Sequence, residues 1–134
     1  MNTGVTLPSI TPLTLPFWDA TRNGKFLLPK CNCCGKHFFR PEVACTHCFS
    51  TDWSWVEASG RGSLYSYSVI HKAPARGFPT PTVFAVVELE ESPAIFSNLV
   101  ECALDEIQIG MPLEVIFDEV SPGIALPKFR PRRS

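Results

Sequence analysis

Cysteines are concentrated in one short stretch of the chain. Cys31 and Cys34 form a Cys-x-x-Cys pair, and after ten further residues Cys45 and Cys48 form a second pair. Each such pair folds into a tight turn, or knuckle, that points both sulfurs the same way, so two facing pairs predict the tetrahedral S4 site of a zinc ribbon. Four thiolates leave no open coordination position. The ion, a structural Zn²⁺, is therefore expected to stabilise the fold without performing a reaction.

Two other residues could compete for a place in this site. Cys33 makes the first pair ambiguous, but only Cys31 with Cys34 gives the two-residue spacer and puts Gly35 in the turn, where a positive φ suits glycine. Cys33 is therefore expected not to bind the metal. His47 could replace a sulfur, yet four sulfurs are already available, so His47 is expected at the surface.

The cysteines could instead form disulfides or bind iron. Disulfides need an oxidising compartment, and the first residues show neither the basic stretch nor the long apolar core of an export signal. A reduced site in the cytoplasm is therefore expected. Iron suits the same four sulfurs, so a rubredoxin-like electron carrier is an alternative to the zinc protein.

The composition favours a small β-rich protein. The 134 residues include 13 prolines and 10 phenylalanines, and this frequency of prolines argues against a helical bundle. No apolar run approaches the roughly 20 residues that span a bilayer. The net charge is -1 and the sequence pI is about 6.3, which gives no overall field to attract a nucleic acid.

The N-terminal half is predicted to contain a short helix and the ribbon. Residues 1–13 are expected to form a flexible arm, and residues 14–59 the helix and zinc ribbon. The helix is predicted over residues 14–23, with Thr14 near its N-cap and Gly24 at its end. Short strands are predicted over 25–29, 36–39 and 53–56. Their aromatic residues are expected to shield the metal, although Trp53 and Trp55 could alternatively stack on nucleobases.

Residues 60–134 are predicted to form a five-stranded OB-fold barrel with a basic C-terminal tail. In the first strand, residues 63–71, the alternation places Tyr65, Tyr67 and Val69 on one face and Leu64 on the other. Five strands with a small helical element between the third and fourth have the order of an OB-fold, and an SH3-like barrel is the alternative. Cys102 is expected to be a buried apolar thiol. The further strands are predicted over 83–89, 94–100, 113–117 and 124–129, and the helical turn over 102–110.

This order of elements resembles a known family, the acyl-CoA-associated proteins called domain of unknown function thirty-five. Phe49 departs from the resemblance, because the second knuckle of these proteins often carries a glycine there. The likeness covers about residues 14–130 and is carried by these motifs: Pro16-Phe17-Trp18, Cys31-x-x-Cys34-Gly35 with Pro41, Cys45-x-x-Cys48, residues 60–68, Val86-Val87-Glu88-Leu89, residues 109–115, and Pro127-Lys128-Phe129.

The resemblance implies a small, non-catalytic partner subunit of a thiolase-fold enzyme that makes or breaks carbon–carbon bonds in acyl-CoA thioesters, including retro-aldolases of steroid side-chain degradation. The helix and ribbon would dock to that enzyme, and the barrel would help to enclose the substrate. The residues agree with this expectation, because no nucleophilic cysteine stands beside a histidine and an oxyanion hole. A single-stranded nucleic-acid-binding module is the alternative.

Basic residues could bind the phosphates of CoA at two places in the sequence. His71, Lys72 and Arg76 lie in the proline-rich loop between the first two barrel strands. A second group lies in the C-terminal tail. A solvated loop and a solvated tail are the alternatives for these two groups. The tail residues are Lys128, Arg130, Arg132 and Arg133.

Overall fold

The computed structural model describes residues 10–71 and 81–132. Most of the predicted N-terminal arm, together with Lys72, Arg76 and Arg133, lies outside these residues. None of the described helices is long and apolar enough to cross a membrane. The elements are α1 (Leu15–Arg22), β1 (Leu27–Cys31), β2 (Trp53–Glu57), β3 (Arg61–Ile70), β4 (Thr82–Leu89), β5 (Ala94–Leu99), a 3₁₀ turn (Leu104–Glu106), β6 (Pro112–Ser121) and β7 (Ile124–Pro131).

Helix α1 begins and ends close to the predicted positions. Thr14 is the N-cap residue, but its hydroxyl makes no capping bond and instead accepts a hydrogen bond from the Thr11 backbone N–H at 3.0 Å. Gly24 follows the helix with a φ of 76°, a conformation that glycine adopts without a Cβ clash. The helix buries Phe17, Ala20 and Thr21. This buried face packs mainly against β7 and β1.

The ribbon contains a two-stranded antiparallel sheet, in which Leu27 pairs with Glu57 and Cys31 pairs with Trp53. The strand predicted over residues 36–39 was wrong. Only one bridge, between Lys30 and His37, joins this segment to β1. Two backbone hydrogen bonds flank this bridge, from the Phe38 N–H to the Pro29 carbonyl at 3.1 Å and from the Cys31 N–H to the Lys36 carbonyl at 2.9 Å. The second bond also helps to close the first knuckle.

Strands β3 to β7 form the closed barrel that the sequence predicted. Their order around the barrel is β3-β4-β5-β7-β6, with β3 also paired to β6. All neighbours are antiparallel except β5 and β7, which pair in parallel at Leu99 and Phe129. Five strands in this order form an OB-fold barrel. The 3₁₀ turn lies between the third and fourth barrel strands, as predicted.

The predicted alternation put Leu64 and Val69 on opposite faces of β3, and this was wrong because the strand has a bulge between them. Leu64 pairs with Val87 and Ser66 pairs with Val86, so Tyr65 is an extra residue between them. Directly paired residues share a face of a sheet, which places Leu64 inward beside the buried Val87. Tyr65 is 64% exposed. A bulge of this kind bends a strand, as the closure of a small barrel requires.

One apolar core joins the barrel to the N-terminal half. Phe129 on β7 is fully buried, and its ring centroid lies 6.3 Å from that of Phe26, just before β1. Phe26 in turn lies 6.0 Å from Phe17 of α1. The helix and the first ribbon strand therefore contribute to the same core as the barrel. A separate small cluster contains Cys31, Phe38 and Cys45, with Trp53 packed against it.

Candidate metal centre

The four predicted cysteines come together at the end of the ribbon. The Sγ atoms of Cys31, Cys34, Cys45 and Cys48 all lie within 4.8 Å of one another. Each knuckle is closed by the same backbone hydrogen bond, from Gly35 to the Cys31 carbonyl at 3.0 Å in the first and from residue 49 to the Cys45 carbonyl at 2.9 Å in the second. Cys33 is exposed and lies outside the set, as predicted.

The spacing of the sulfurs fits a zinc ion. A Zn–S distance of about 2.3 Å in a tetrahedral site puts neighbouring sulfurs about 3.8 Å apart. The sulfurs of Cys34 and Cys45 are 3.8 Å apart, and those of Cys31 and Cys48 are 3.5 Å apart. Both separations are far longer than the roughly 2.05 Å of a disulfide. The four thiols are therefore arranged as one metal-binding set, and the disulfide alternative is not supported.

Backbone amides favour the thiolate form of one ligand in particular. The amides of Cys34 and Cys33 approach the Cys31 sulfur at 3.4 and 3.3 Å. The Cys34 amide is the largest influence, and the pKa of Cys31 is lowered to about 7. The pKa of Cys48 is shifted in the opposite direction. The Ser50 amide acts to lower the Cys48 pKa, but the nearby Cys31 thiol, burial and the other thiols raise it to about 12. A bound cation would remove this conflict by stabilising all four thiolates.

Two aromatic residues cover the site. Phe38 is almost fully buried against Cys31 and Cys45, and its ring meets Trp53 edge to face at a centroid distance of 5.5 Å. The Trp53 indole N–H donates to the Val43 carbonyl at 3.1 Å. The predicted shielding is thus provided by this pair. Trp55 instead packs against the main core.

His47 lies at the surface, as predicted, and helps to hold the second knuckle in place. Its Nε2 is 3.2 Å from the His37 carbonyl oxygen, which can accept a hydrogen bond from it. The His47 backbone N–H donates to the Cys45 sulfur at 3.3 Å. Four sulfurs are already present, so the imidazole is not needed as a ligand.

The basic residues predicted for CoA phosphates are only partly described. His71 is exposed at the end of β3, and its role as a phosphate ligand stays a prediction. The tail prediction was wrong for Lys128 and Arg130, which lie in strand β7. Each described cation of this group is matched by a carboxylate. Lys128 is 2.7 Å from Asp118, Arg130 is 2.8 Å from Glu114 and 3.5 Å from Glu101, and Arg132 is 3.5 Å from Glu90.

Cys102 is half-buried and packs against the main core. Burial, and then the nearby Glu106 and Asp105 carboxylates, raise the pKa of its thiol. A raised pKa keeps the thiol protonated at neutral pH, and the thiol is a far weaker nucleophile than the thiolate. The prediction of a buried thiol was wrong in degree, because Cys102 packs at the edge of the core and is only partly buried.

The sequence interpretation missed an apolar groove of about 510 Å³ on the outside of β3, β4 and β5. Phe96 borders this groove and is 86% exposed. The segment Ala94–Leu99 was predicted only as a barrel strand, because an apolar run does not distinguish an inward side chain from an outward one. Alternation with the buried Ile95 could have indicated that Phe96 points outward. Other residues lining the groove are Ser66, Tyr67, Ser68, Val86 and Asn98.

A four-sulfur ribbon followed by an OB-fold barrel defines a zinc-ribbon/OB-fold protein. The chain belongs to the ChsH2 family of such proteins, whose OB-fold and ribbon modules are also called DUF35. Residues 18–54 match the family model for the rubredoxin-like zinc ribbon domain of ChsH2, and residues 55–118 match that for its C-terminal OB-fold domain. The expected family and structural zinc are thereby confirmed, and the sulfur spacing agrees with them.

Several relatives have names that describe a function. A probable enoyl-CoA hydratase alpha subunit of Thermomonospora curvata is 41% identical over 116 residues, which cover 86% of this chain but 36% of that protein. A DUF35 domain-containing scaffold protein of Methanocaldococcus jannaschii is 35% identical over 68% of this chain and 66% of its own length. The benzoylsuccinyl-CoA thiolase subunit BbsA of Geobacter metallireducens is 39% identical over 52% of this chain and 47% of its own length.

One solved structure is similar over nearly its whole length. A chain of the Ltp2-ChsH2(DUF35) aldolase superposes with a TM-score of 0.84 and is 39% identical, covering 92% of this chain and 98% of that chain. This likeness extends beyond the fold to the sequence.

Proposed function

We propose that this chain is a non-catalytic accessory subunit that binds a thiolase-like or aldolase-like enzyme acting on acyl-CoA thioesters. It stabilises that enzyme and helps to enclose the CoA-linked substrate. Its place of action would be the cytoplasm, where zinc thiolates remain reduced. The acyl group belongs to the fatty, aromatic or steroid side-chain classes.

The observation that carries this proposal is the match to a chain of the Ltp2-ChsH2(DUF35) aldolase, which extends over 98% of that chain at 39% identity. The name of that aldolase pairs a DUF35 protein with a second protein, Ltp2. The relative named as a subunit of benzoylsuccinyl-CoA thiolase supports the same kind of assembly. The relative named as a scaffold protein supports a non-catalytic role.

The chemistry of the described residues supports an accessory role as well. Four sulfurs in one closed set would give a bound zinc ion no position for substrate. Outside the ribbon, the Cys102 thiol has a raised pKa and is a poor nucleophile. The hydratase activity in the name of the Thermomonospora protein belongs to a protein of which this chain spans 36%. That name alone therefore does not assign a reaction to this chain.

Nucleic-acid binding has less support. The described cations near the C-terminus, Lys128, Arg130 and Arg132, lie beside carboxylates, which neutralise them in place of phosphates. Trp53 and Trp55 are half-buried and meet each other edge to face at 5.3 Å, so their rings are not open platforms for bases. A titration with single-stranded oligonucleotides at low salt should show no salt-sensitive binding in the micromolar range.

Co-expression tests the proposal directly. The tagged chain is produced together with each thiolase-fold protein encoded in the same genome, and each pair is analysed by size-exclusion chromatography with mass determination. One pair is expected to elute as a stable complex, and its thioester-cleaving or thioester-condensing activity should fall when this chain is omitted. A Cys45→Ser variant serves as the control that lacks the metal site. Separate elution of every pair, with enzyme activities unaffected by this chain, would count decisively against the proposal.

A further inference from the structure

The two knuckles have the same backbone bonds but different residues in the turn. Gly35 in the first knuckle has a φ of 76°, and Phe49 at the matching position of the second has a φ of 65°. Glycine takes this left-handed conformation readily, whereas the Cβ of any other L-residue crowds the backbone there. The second knuckle therefore carries strain that the first avoids.

The Phe49 side chain does not offset this strain by burial within the chain, because 79% of the residue is exposed. Nor does a loose loop explain the exposure. The Phe49 N–H donates to the Cys45 carbonyl at 2.9 Å, and the Cys45 N–H donates to the Ser50 carbonyl at 2.8 Å. The ring is thus presented to solvent by a fixed backbone. A strained and exposed aromatic residue on a rigid turn indicates a role outside the chain.

The charges around the two knuckles also differ. The first knuckle is flanked by Lys30 and Lys36, both exposed. The second, residues 45–51, contains no lysine, arginine, aspartate or glutamate. Just before it, Val43 is 72% exposed. An uncharged tip with exposed apolar side chains resembles the centre of a protein–protein interface, where charged residues are depleted and aromatic residues are enriched.

We propose that Phe49 is an anchor residue whose ring inserts into an uncharged, apolar pocket on the surface of the thiolase-fold partner. This inference rests on the proposed function and specifies which part of the chain makes the central contact. Aromatic anchors dominate many interfaces, and a side chain held on a rigid turn loses little conformational entropy when it binds. Burial of the ring in the complex accounts for a phenylalanine at a position where glycine would fold with less strain.

The substitution Phe49→Gly separates the two effects of this residue. It removes both the strained Cβ and the ring, so the free chain is expected to melt about 2–8 °C higher, while the dissociation constant of the complex is expected to rise at least tenfold. Phe49→Ala keeps the strain and removes the ring, so it should weaken binding without raising the melting temperature. Ile109→Ala shortens a 62% exposed apolar side chain outside both the knuckle and the groove, and as the control it should change neither the melting temperature nor the affinity.

Differential scanning fluorimetry of the zinc-loaded variants and biolayer interferometry with the purified partner measure the two quantities. Higher thermal stability together with weaker binding of Phe49→Gly supports the anchor. Wild-type affinity of Phe49→Gly in a complex that does form overturns this inference and leaves the proposed function standing. An unchanged melting temperature overturns the strain argument, and failure of the wild-type chain to bind any thiolase-fold enzyme overturns both proposals.

Discussion

The two ends of the molecule are stabilised in different ways. The barrel and helix share an apolar core, in which Phe129, Leu64 and Leu113 are almost fully buried. At the metal end of the ribbon, the buried cluster is small and two of its members are the ligand cysteines Cys31 and Cys45. The first region can fold by burying apolar surface, whereas the second needs its ion. Removing one source of stability should therefore unfold only the region that depends on it.

Loss of a ligand should have the largest effect. Cys45→Ser removes a fully buried sulfur from the set, and structural zinc sites contribute on the order of 10 kcal/mol to folding. We expect the zinc content to fall from about one per chain to near zero. The tryptophan fluorescence, to which Trp53 beside the sulfur set contributes, should change as the metal end unfolds, while far-ultraviolet circular dichroism retains the barrel signal.

Cys33→Ser is the matched control for this prediction, because Cys33 is exposed and outside the sulfur set. It should retain zinc and wild-type stability. An equal loss of zinc in the two variants would mean that the pairing of the first knuckle has been assigned wrongly. Loss of the barrel signal in Cys45→Ser would mean that the barrel also depends on the ion.

The second-largest effect is expected from a substitution in the apolar core. Phe129→Ala removes a fully buried ring that packs edge to face with Phe26, and such truncations cost about 3–5 kcal/mol. Urea unfolding at saturating zinc should show this loss, with zinc content unchanged in the folded protein. The control Phe96→Ala, at an 86% exposed position, should stay within about 0.5 kcal/mol of wild type. Comparable losses in both variants would contradict the proposed position of the core.

A smaller effect is expected where the barrel closes. Gly62 pairs with Leu89 of β4 and also with Leu113 of β6. A Cβ at this position would lie 2.6 Å from the Glu88 carbonyl oxygen, so Gly62→Ala should displace backbone at a cost of about 1–3 kcal/mol. Thermal and urea unfolding measure this change.

Gly110→Ala is the control that separates a steric clash from backbone strain as the cause of a lower stability. A Cβ there would meet no atom within 4 Å, but the φ of 86° would still strain an alanine. The free energy of unfolding of Gly110→Ala should fall by about 1–2 kcal/mol, which is the cost of holding a residue other than glycine in the left-handed conformation. If Gly62→Ala leaves the free energy of unfolding unchanged, the close approach of β3 and β4 does not exclude a side chain at this position.

The sequence was informative where structure depends on local chemistry. The spacing of Cys31, Cys34, Cys45 and Cys48 predicted the metal set, because a knuckle is closed by backbone bonds within a few residues. The left-handed turn at Phe49 could have been inferred from the matching glycine of the first knuckle. By contrast, the bulge at Tyr65 depends on the register in which β3 pairs with its neighbour β4. No local pattern specifies that register, so the predicted alternation separated Leu64 from Val69, although both face the core.

The other differences have a separate cause, which is that the length of a strand depends on its partner as well as on its own composition. Residues 36–39 have a strand-like composition, but a strand also needs a partner along its length, and only the Lys30–His37 bridge forms. Strand β6 continues to Ser121, beyond the predicted end at residue 117, because it pairs with β7 as far as Ile124. The polar residues near its end do not form an apolar pattern. How far a strand runs is thus set by its pairing partner, which extends one predicted strand and reduces another to a single bridge.

The smallest effect is expected on the outside of the barrel. Arg130 lies 2.8 Å from Glu114, and this hydrogen bond is the main reason that its pKa is raised. Its side chain is 40% exposed, so solvent screens the ion pair and Arg130→Gln should lower the free energy of unfolding less than any of the destabilising substitutions above. Urea unfolding at low and high salt measures the difference, which should shrink as salt weakens the wild-type pair. A loss approaching that of Phe129→Ala would show that the barrel depends on charge pairs as well as on its apolar core, and would remove the contrast between the two ends of the molecule.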